Sequence, residues 1–161
     1  MNNTQMMLLL GAALLFSMLT LSSNRGILYS TQVTYESEHV LTATQLGDAM
    51  VSEIISKAFD AATADTTITN INLLTSTGSF GHNASEVYPN YNDVDDYHRF
   101  TKSVDTPRLG TFALYTEIAY VNELNPNQTT NSKSWMKRIK VRVSHNAMPN
   151  PVTIYYFVSY Y

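Results

Sequence analysis

The sequence predicts an α+β fold in which a long N-terminal α-helix, apolar in its first half, packs on a small antiparallel β-meander head. Residues 6–21 form a nearly continuous apolar run, and residues 27–59 contain no proline and repeat apolar side chains every three or four positions. After residue 110 the sequence alternates between apolar and polar residues, which is typical of strands. A chain of 161 residues is expected to form one globular head.

The apolar run MMLLLGAALLFSMLTL at residues 6–21 has three interpretations. A secretory signal peptide needs a basic segment before its apolar core, and no Lys or Arg precedes Arg25. A transmembrane anchor needs about 20 apolar residues, so the run is slightly short unless Ser17, Thr20, Ser22 and Ser23 are counted as hydrogen-bonded back to the helix. The third interpretation is a helix that sits in the membrane temporarily and then packs against copies of itself.

The polar sequence that follows keeps a helical rhythm, which predicts an amphipathic helix over residues 27–60. Its apolar stripe includes Val33, Ile54 and Phe59. Between the two halves, the segment SSNRG at residues 22–26 has poor helix propensity. We therefore expect the helix to be interrupted there when subunits assemble.

Residues 61–110 are rich in turn-forming residues and are predicted to be mainly loop, with a short strand near residues 68–74. Residues 111–161 are predicted to form three antiparallel strands joined by turn-rich linkers. The organisation is then an apolar helix at residues 1–26 and a head at residues 27–161. The inward-facing residues of the three strands are predicted to be Phe112, Leu114, Ile118, Tyr120, Ile139, Val141, Val143, Val152, Ile154, Tyr156, Val158 and Tyr160.

The charge pattern and the known motifs exclude several function classes. The basic residues between positions 137 and 142 are interpreted as alternation within a strand, with Lys140 and Arg142 pointing outward. With a net charge of −3, no nucleic-acid partner is expected. The chain has no cysteine, phosphate-binding loop, zinc-protease motif or nucleophile elbow. We therefore expect neither an enzyme nor a small-molecule substrate.

One segment, YPNYNDVDDYHRF at residues 88–100, places several oxygen-bearing side chains close together. Calcium prefers such oxygens, and Asp93, Asp95 and Asp96 are the candidate ligands. The alternative is a solvated acidic turn anchored to the head by aromatic residues, namely Tyr88, Tyr91, Tyr97 and Phe100.

Two sequons are candidate glycosylation sites. Asn83 and Asn127 each begin an Asn-x-Ser/Thr sequence in the predicted head.

The order of these elements resembles the type IV pilin superfamily, which includes pseudopilins and pilin-like proteins. The resemblance rests on MMLLLGAALLFSMLTLSS with YESEHVLTATQLGDAMVSEIISKAF, and on the C-terminal KRIKVRVSHNAMPNPVTIYYFVSYY. In that family a short charged leader is removed, and a glutamate near the start of the mature helix pairs with the N-terminal amine of a neighbouring subunit. If Met1 is the mature N-terminus, Gln5 stands at the position of that glutamate and can accept a hydrogen bond without supplying charge.

The resemblance implies a structural subunit of an extracellular filament that polymerises with copies of itself and is held in the inner membrane before assembly. In that case Arg25 is expected to meet Glu36 or Glu38 of a neighbour. The alternative is a monomeric, membrane-anchored surface or secretion-system protein of the pseudopilin kind. Residues 27–40 distinguish the two, because they would be exposed in a monomer and covered by neighbours in a filament. The implied assembly residues are Gln5, Leu8, Leu9, Leu14, Leu15, Phe16, Leu19, Arg25, Glu36 and Glu38.

Overall fold

A computed structural model of the chain describes residues 2–84 and 86–160. Within these residues a long helix is followed by a β-sheet, which confirms the predicted α+β fold class. The helix and strands are α1 (Asn3–Ile55), β1 (Thr101–Thr106), β2 (Gly110–Asn122), β3 (Asn125–Thr129), β4 (Met136–Ser144) and β5 (Val152–Ser159). The chain divides into two compact units, residues 1–38 and residues 39–161.

The first unit consists of the N-terminal part of α1, and nearly all of its described side chains are exposed. The helix is continuous through residues 22–26 in this single chain. The interruption predicted there concerns the assembled state, so it stays a prediction.

The helix ends at Ile55 rather than at residue 60. The reason is a competing backbone partner: the N–H of Ala58 donates to the carbonyl of Asn92 at 3.1 Å, and the N–H of Val94 donates to the carbonyl of Ala58 at 2.9 Å. These bonds join the segment after the helix to the acidic segment, so the chain leaves the helix before Phe59.

The second unit places one face of α1 against the sheet. The buried helix residues recur every three or four positions and are His39, Ala43, Gly47, Met50, Val51 and Ile54. Ala43 and Ile54 lie in the same core cluster as Phe112, Ile139 and Val141. The predicted packing of the amphipathic helix on the meander is therefore confirmed for residues 39–55.

The described strands form a five-stranded antiparallel sheet. β2, β4 and β5 are adjacent as the meander predicts, β1 pairs with the other side of β2, and β3 pairs with the end of β2. The central strands bury the residues predicted to face inward, including Phe112, Ile118, Ile139 and Val143. The edge strand β5 is less covered, and Tyr156 stays 42% exposed.

Two strands lie where the sequence predicts loops. β1 falls within residues 61–110, and β3 falls in the linker after β2. The sequence of β1, TKSVDT, has one apolar residue, Val104, so it lacks the alternation that predicts a strand. β1 pairs with β2 through backbone hydrogen bonds, which do not depend on the identity of the side chains. The strand predicted near residues 68–74 is wrong, because the side chain of Asn70 caps a 3-10 turn at Ile71–Leu73.

Close approach of helix and sheet depends on Gly47. A Cβ atom at this position would lie 2.6 Å from Ile154 Cδ1 and 3.4 Å from Val143 Cγ2. The Ile154 methyl can rotate away from a single added carbon, but a larger side chain would have to displace the sheet. A Cβ at Gly26, in contrast, would meet no atom within 4 Å.

We expect Gly47→Leu to lower the free energy of unfolding by about 2 kcal/mol, because it overpacks the interface between helix and sheet. Gly26→Leu is the matched control and should leave stability unchanged or slightly higher, since it replaces a poor helix former. Urea unfolding of the full chain in detergent, followed by Trp135 fluorescence, measures both. Equal effects of the two substitutions would contradict the packing described here.

Candidate functional site

The apolar side chains at the start of α1 are exposed and form a candidate binding surface. The predicted assembly residues Leu8, Leu9, Leu14, Leu15, Phe16 and Leu19 are between 59% and 73% exposed. By length and composition α1 is long and apolar enough to cross a membrane, a property that N-terminal signal sequences share. This surface therefore requires either lipid or protein to cover it.

Hydroxyl groups within the apolar run are satisfied by the helix itself. Ser17 Oγ donates to the carbonyl of Ala13 at 2.8 Å, and Thr20 Oγ1 donates to the carbonyl of Phe16 at 2.7 Å. Because these donors are already bonded, the two residues fit an apolar environment. The run from residue 6 to residue 21 therefore has no unsatisfied hydroxyl donor.

Exposed apolar side chains continue beyond Arg25. Ile27, Leu28 and Tyr29 are 62%, 70% and 72% exposed, and Tyr35 is 56% exposed. At 1.5 Å per residue, the helix from residue 6 to residue 35 is about 45 Å long. The hydrocarbon core of a bilayer is only about 30 Å thick, so it does not cover the whole apolar surface at once.

The polar residues predicted to act in assembly are not brought together in the single chain. Gln5 Oε1 accepts a hydrogen bond from the N–H of Asn2 at 3.3 Å within the first turn. Arg25 and Glu36 are exposed, Glu36 accepts from Gln32 Nε2 at 3.0 Å, and Glu38 is partly buried. Met1 lies outside the described residues, so the pairing implied for Gln5 and the partner implied for Arg25 stay predictions.

The acidic segment is buried rather than solvated, which corrects the solvated-turn interpretation. Asp93, Asp95 and Asp96 are only 2–3% exposed. Asp93 Oδ1 accepts from the N–H groups of Asp95 and Asp96, and Asp96 Oδ2 accepts from the N–H of Asn92. Carboxylates here organise the backbone of the turn.

The aromatic anchors of this segment lie where the sequence predicts them. Tyr91 packs edge to face on Tyr97, with ring centroids 5.0 Å apart, and on Phe100 at 5.5 Å. Tyr97 Oη donates to Glu53 Oε1 of α1 at 3.0 Å. The acidic turn is thereby fixed to both the core and the helix.

A buried lysine faces this turn, and the sequence interpretation missed it. The side chain of Lys137 is 0% exposed, and its Nζ lies 2.7 Å from the carbonyl of Phe59, 2.9 Å from Asp60 Oδ2 and 2.7 Å from Asp95 Oδ1. The aromatic rings of Phe59, Tyr120 and Phe80 surround Nζ at 4.3, 5.2 and 5.5 Å from their centroids. We call Lys137, Asp60 and Asp95 the buried triad.

The two carboxyl groups of the triad differ in their partners. Asp60 accepts from the N–H groups of Ala62 and Thr75, from the Thr75 hydroxyl and from Tyr120 Oη. Asp95 contacts Lys137 without hydrogen-bond alignment, and neither of its oxygens has a hydrogen-bond partner among the described residues. Hydrogen-bond donors of the protein therefore stabilise the negative charge of Asp60 but not that of Asp95.

Because their partners differ, the pKa values of the two aspartates are shifted in opposite directions. Burial acts to raise the pKa of Asp60, but the charge and hydrogen bond of Lys137 and the backbone donors outweigh it and lower that pKa. Burial raises the pKa of Asp95 to about 8, although Lys137 opposes the shift. Near neutral pH the triad therefore holds one ammonium, one carboxylate and one largely neutral carboxylic acid.

The calcium site predicted at Asp93, Asp95 and Asp96 stays a prediction. No group of three His, Asp or Glu side chains in residues 2–84 and 86–160 is arranged to hold a metal ion. The oxygens of Asp93 and Asp96 bond to backbone N–H groups, and Asp95 faces the Lys137 ammonium. A calcium ion would have to compete with all of these donors.

Both predicted sequons begin at exposed residues. Asn83 is exposed, and its N–H donates to Glu86 Oε2 at 2.8 Å, while its sequon partner Ser85 lies outside the described residues. Asn127 is exposed in β3. Glycosylation at either residue stays a prediction.

Comparison with known proteins gave no match to a family model, to a curated protein or to a solved structure.

The pH dependence of stability tests the burial of the acidic turn. Burial, followed by the nearby charge of Asp96, raises the pKa of Asp93 from 3.8 to about 6. The folded state therefore holds a proton that the unfolded state releases between about pH 4 and pH 6, so the free energy of unfolding falls as pH rises through that window. Asp93→Asn should remove a fall on the order of 2 kcal/mol while keeping the Oδ1 acceptor.

Urea unfolding of wild-type and Asp93→Asn chains at pH 4 and pH 7 measures this difference. The exposed Asp65 provides the control, and Asp65→Asn should retain the wild-type pH slope. An Asp93→Asn chain with the wild-type slope would show that the proton is not held at this carboxyl.

Proposed function

We propose that this chain is a structural subunit of an extracellular filament of the type IV pilin kind, which polymerises through the apolar half of α1. Before assembly the helix is held in the inner membrane, and the partners in the filament are copies of the same chain. The role is mechanical, without catalysis, small-molecule substrate or nucleic-acid partner.

The observation that carries this proposal is the length of the exposed apolar surface on α1. A bilayer covers about 30 Å of helix, which corresponds to about 20 residues. Ile27, Leu28, Tyr29 and Tyr35 are exposed beyond Arg25, so a membrane-anchored monomer with residues 6–25 in the bilayer would leave them outside the hydrocarbon core. Helices of neighbouring subunits would cover these residues together with residues 6–21 in one continuous contact.

The chemistry of the surface also fits helix packing. Burying a Leu, Ile or aromatic side chain from water stabilises a contact by about 1.5–3 kcal/mol, and the exposed Ile27, Leu28 and Tyr29 supply such side chains beyond the bilayer core. The hydroxyls of Thr31 and Thr34 donate to the carbonyls of Ile27 and Ser30, so they add no unsatisfied donor to a buried contact. The polar head, including the exposed Asn83 and Asn127, would then form the outer surface.

Charge substitutions in the apolar run test the filament core. Leu14→Asp or Leu15→Lys should abolish filaments, because an unpaired charge in a helix bundle costs several kcal/mol. Filaments are counted by negative-stain microscopy of material sheared from producing cells, and membrane levels are measured beside them because the same charges weaken insertion. Leu124→Asp is the control, since this leucine is 96% exposed in the head. Normal filaments from either core variant would contradict the proposal.

A charge beyond Arg25 separates the filament from the monomeric alternative. Leu28→Asp should abolish filaments without lowering the amount of chain in the membrane, because Leu28 lies outside the bilayer core in this arrangement. Its surface neighbour Thr31 provides a matched control, and Thr31→Ser should assemble normally because it keeps the hydroxyl that bonds back to Ile27. A wild-type chain found only as a membrane-bound monomer would instead support the secretion-system alternative.

A further inference from the structure

We propose that Lys137 and Asp95 condense to an intramolecular amide bond between Nζ and Cγ, with Asp60 as the proton acceptor. The bond would join β4 to the turn Asp95–Tyr97, and it is independent of whether the chain forms filaments.

The geometry places the reacting groups together before any reaction. Lys137 Nζ lies 2.7 Å from Asp95 Oδ1, and both side chains are at most 4% exposed. The contact is an ion pair without hydrogen-bond alignment, and neither Asp95 oxygen has a hydrogen-bond partner among the described residues. Groups fixed in this way react with effective molarities of roughly 10⁵–10⁸ M.

The surroundings of Asp95 favour the neutral carboxylic acid that amide formation needs. The rings of Phe59, Phe80 and Tyr120 exclude water around Nζ. Burial raises the pKa of Asp95, so its carboxyl keeps a hydroxyl that can leave as water. Absence of bulk water around the product also opposes hydrolysis of the new bond.

Asp60 is placed to accept the proton that activates the amine. Its Oδ2 lies 2.9 Å from Nζ, and its other donors hold it as a carboxylate. In the reaction Asp60 takes one proton from the Lys137 ammonium, and the lone pair that this frees attacks Cγ of Asp95. A second proton passes from nitrogen to the Asp95 hydroxyl, the Cγ–O bond breaks, and one water leaves. The proton on Asp60 is afterwards released to solvent, so no other reactant is consumed.

A second Lys–carboxylate pair shows which features distinguish the triad. Lys140 Nζ lies 3.0 Å from Glu117 Oε2 on the same sheet, but these side chains are 31% and 38% exposed. Bulk water reaches such a pair, and water both screens its charges and favours hydrolysis of an amide over its formation. Proximity alone therefore does not predict the bond, and the Lys140–Glu117 pair serves as the matched control.

Mass spectrometry of the folded full chain tests the proposal. Wild-type protein should be lighter than its sequence by one water molecule, and Lys137→Met and Asp95→Ala should show no such loss. Glu117→Ala and Lys140→Met should keep the loss. Asp60→Asn keeps the shape of the acceptor but not its basicity, and should be recovered largely without the bond, since a positioned base contributes roughly a hundredfold or more in rate.

Tryptic digestion locates the bond. Residues 58–99 should be recovered joined to residues 134–138, with no cleavage after Lys137, and fragment ions should place the link at Asp95. A link at Asp60 would overturn the assignment. Wild-type chain of full sequence mass, with the circular dichroism of a folded protein, would overturn the proposal itself, and this result does not depend on any variant folding.

Discussion

The ammonium of Lys137 is buried in the head, and an isolated charge in such a place would be strongly unfavourable. The chain meets this cost by bringing groups from two separate segments to one nitrogen: the Phe59 carbonyl and the adjacent Asp60 carboxylate after the helix, and Asp95 in the acidic turn. The connection between α1 and β1, which has little regular structure, thus has a fixed point on the central strand β4. Tyr120 of β2 adds a further link, since its hydroxyl bonds to the carbonyl of Thr75.

The same charge explains why the acidic segment is buried. One ammonium can balance one carboxylate, and Asp60 fills that role with five donor groups around it. Asp95 is then the surplus acid, and burial favours its neutral form. Replacing one member of such a group leaves the others unpaired, whereas replacing all of them with apolar residues can be tolerated. The three residues therefore constrain one another's substitution.

Periodicity predicted the helix and the central strands, because apolar burial in these elements follows a repeat of 3.6 or 2 residues. The same alternation contained the signal for Lys137, which shares its side of β4 with Ile139, Val141 and Val143. Grouping Lys137 with the neighbouring basic residues obscured that position. β1 and the end of α1 depend on backbone partners far along the chain, and a local sequence pattern does not specify such partners.

The hydrogen bonds of the Ser17 and Thr20 hydroxyls affect how readily α1 could move from lipid into a bundle of helices. Both donate to carbonyls one turn earlier, so the surface of the run offers neither donor nor charge to its surroundings. Lipid hydrocarbon chains and the apolar surface of a neighbouring helix are then nearly equivalent environments for residues 6–21. For a filament subunit, the free energy of transferring residues 6–21 from lipid into a helix bundle would therefore be small. The preference for the assembled form would have to come from surfaces that lipid never covers, beginning at Ile27 and Leu28.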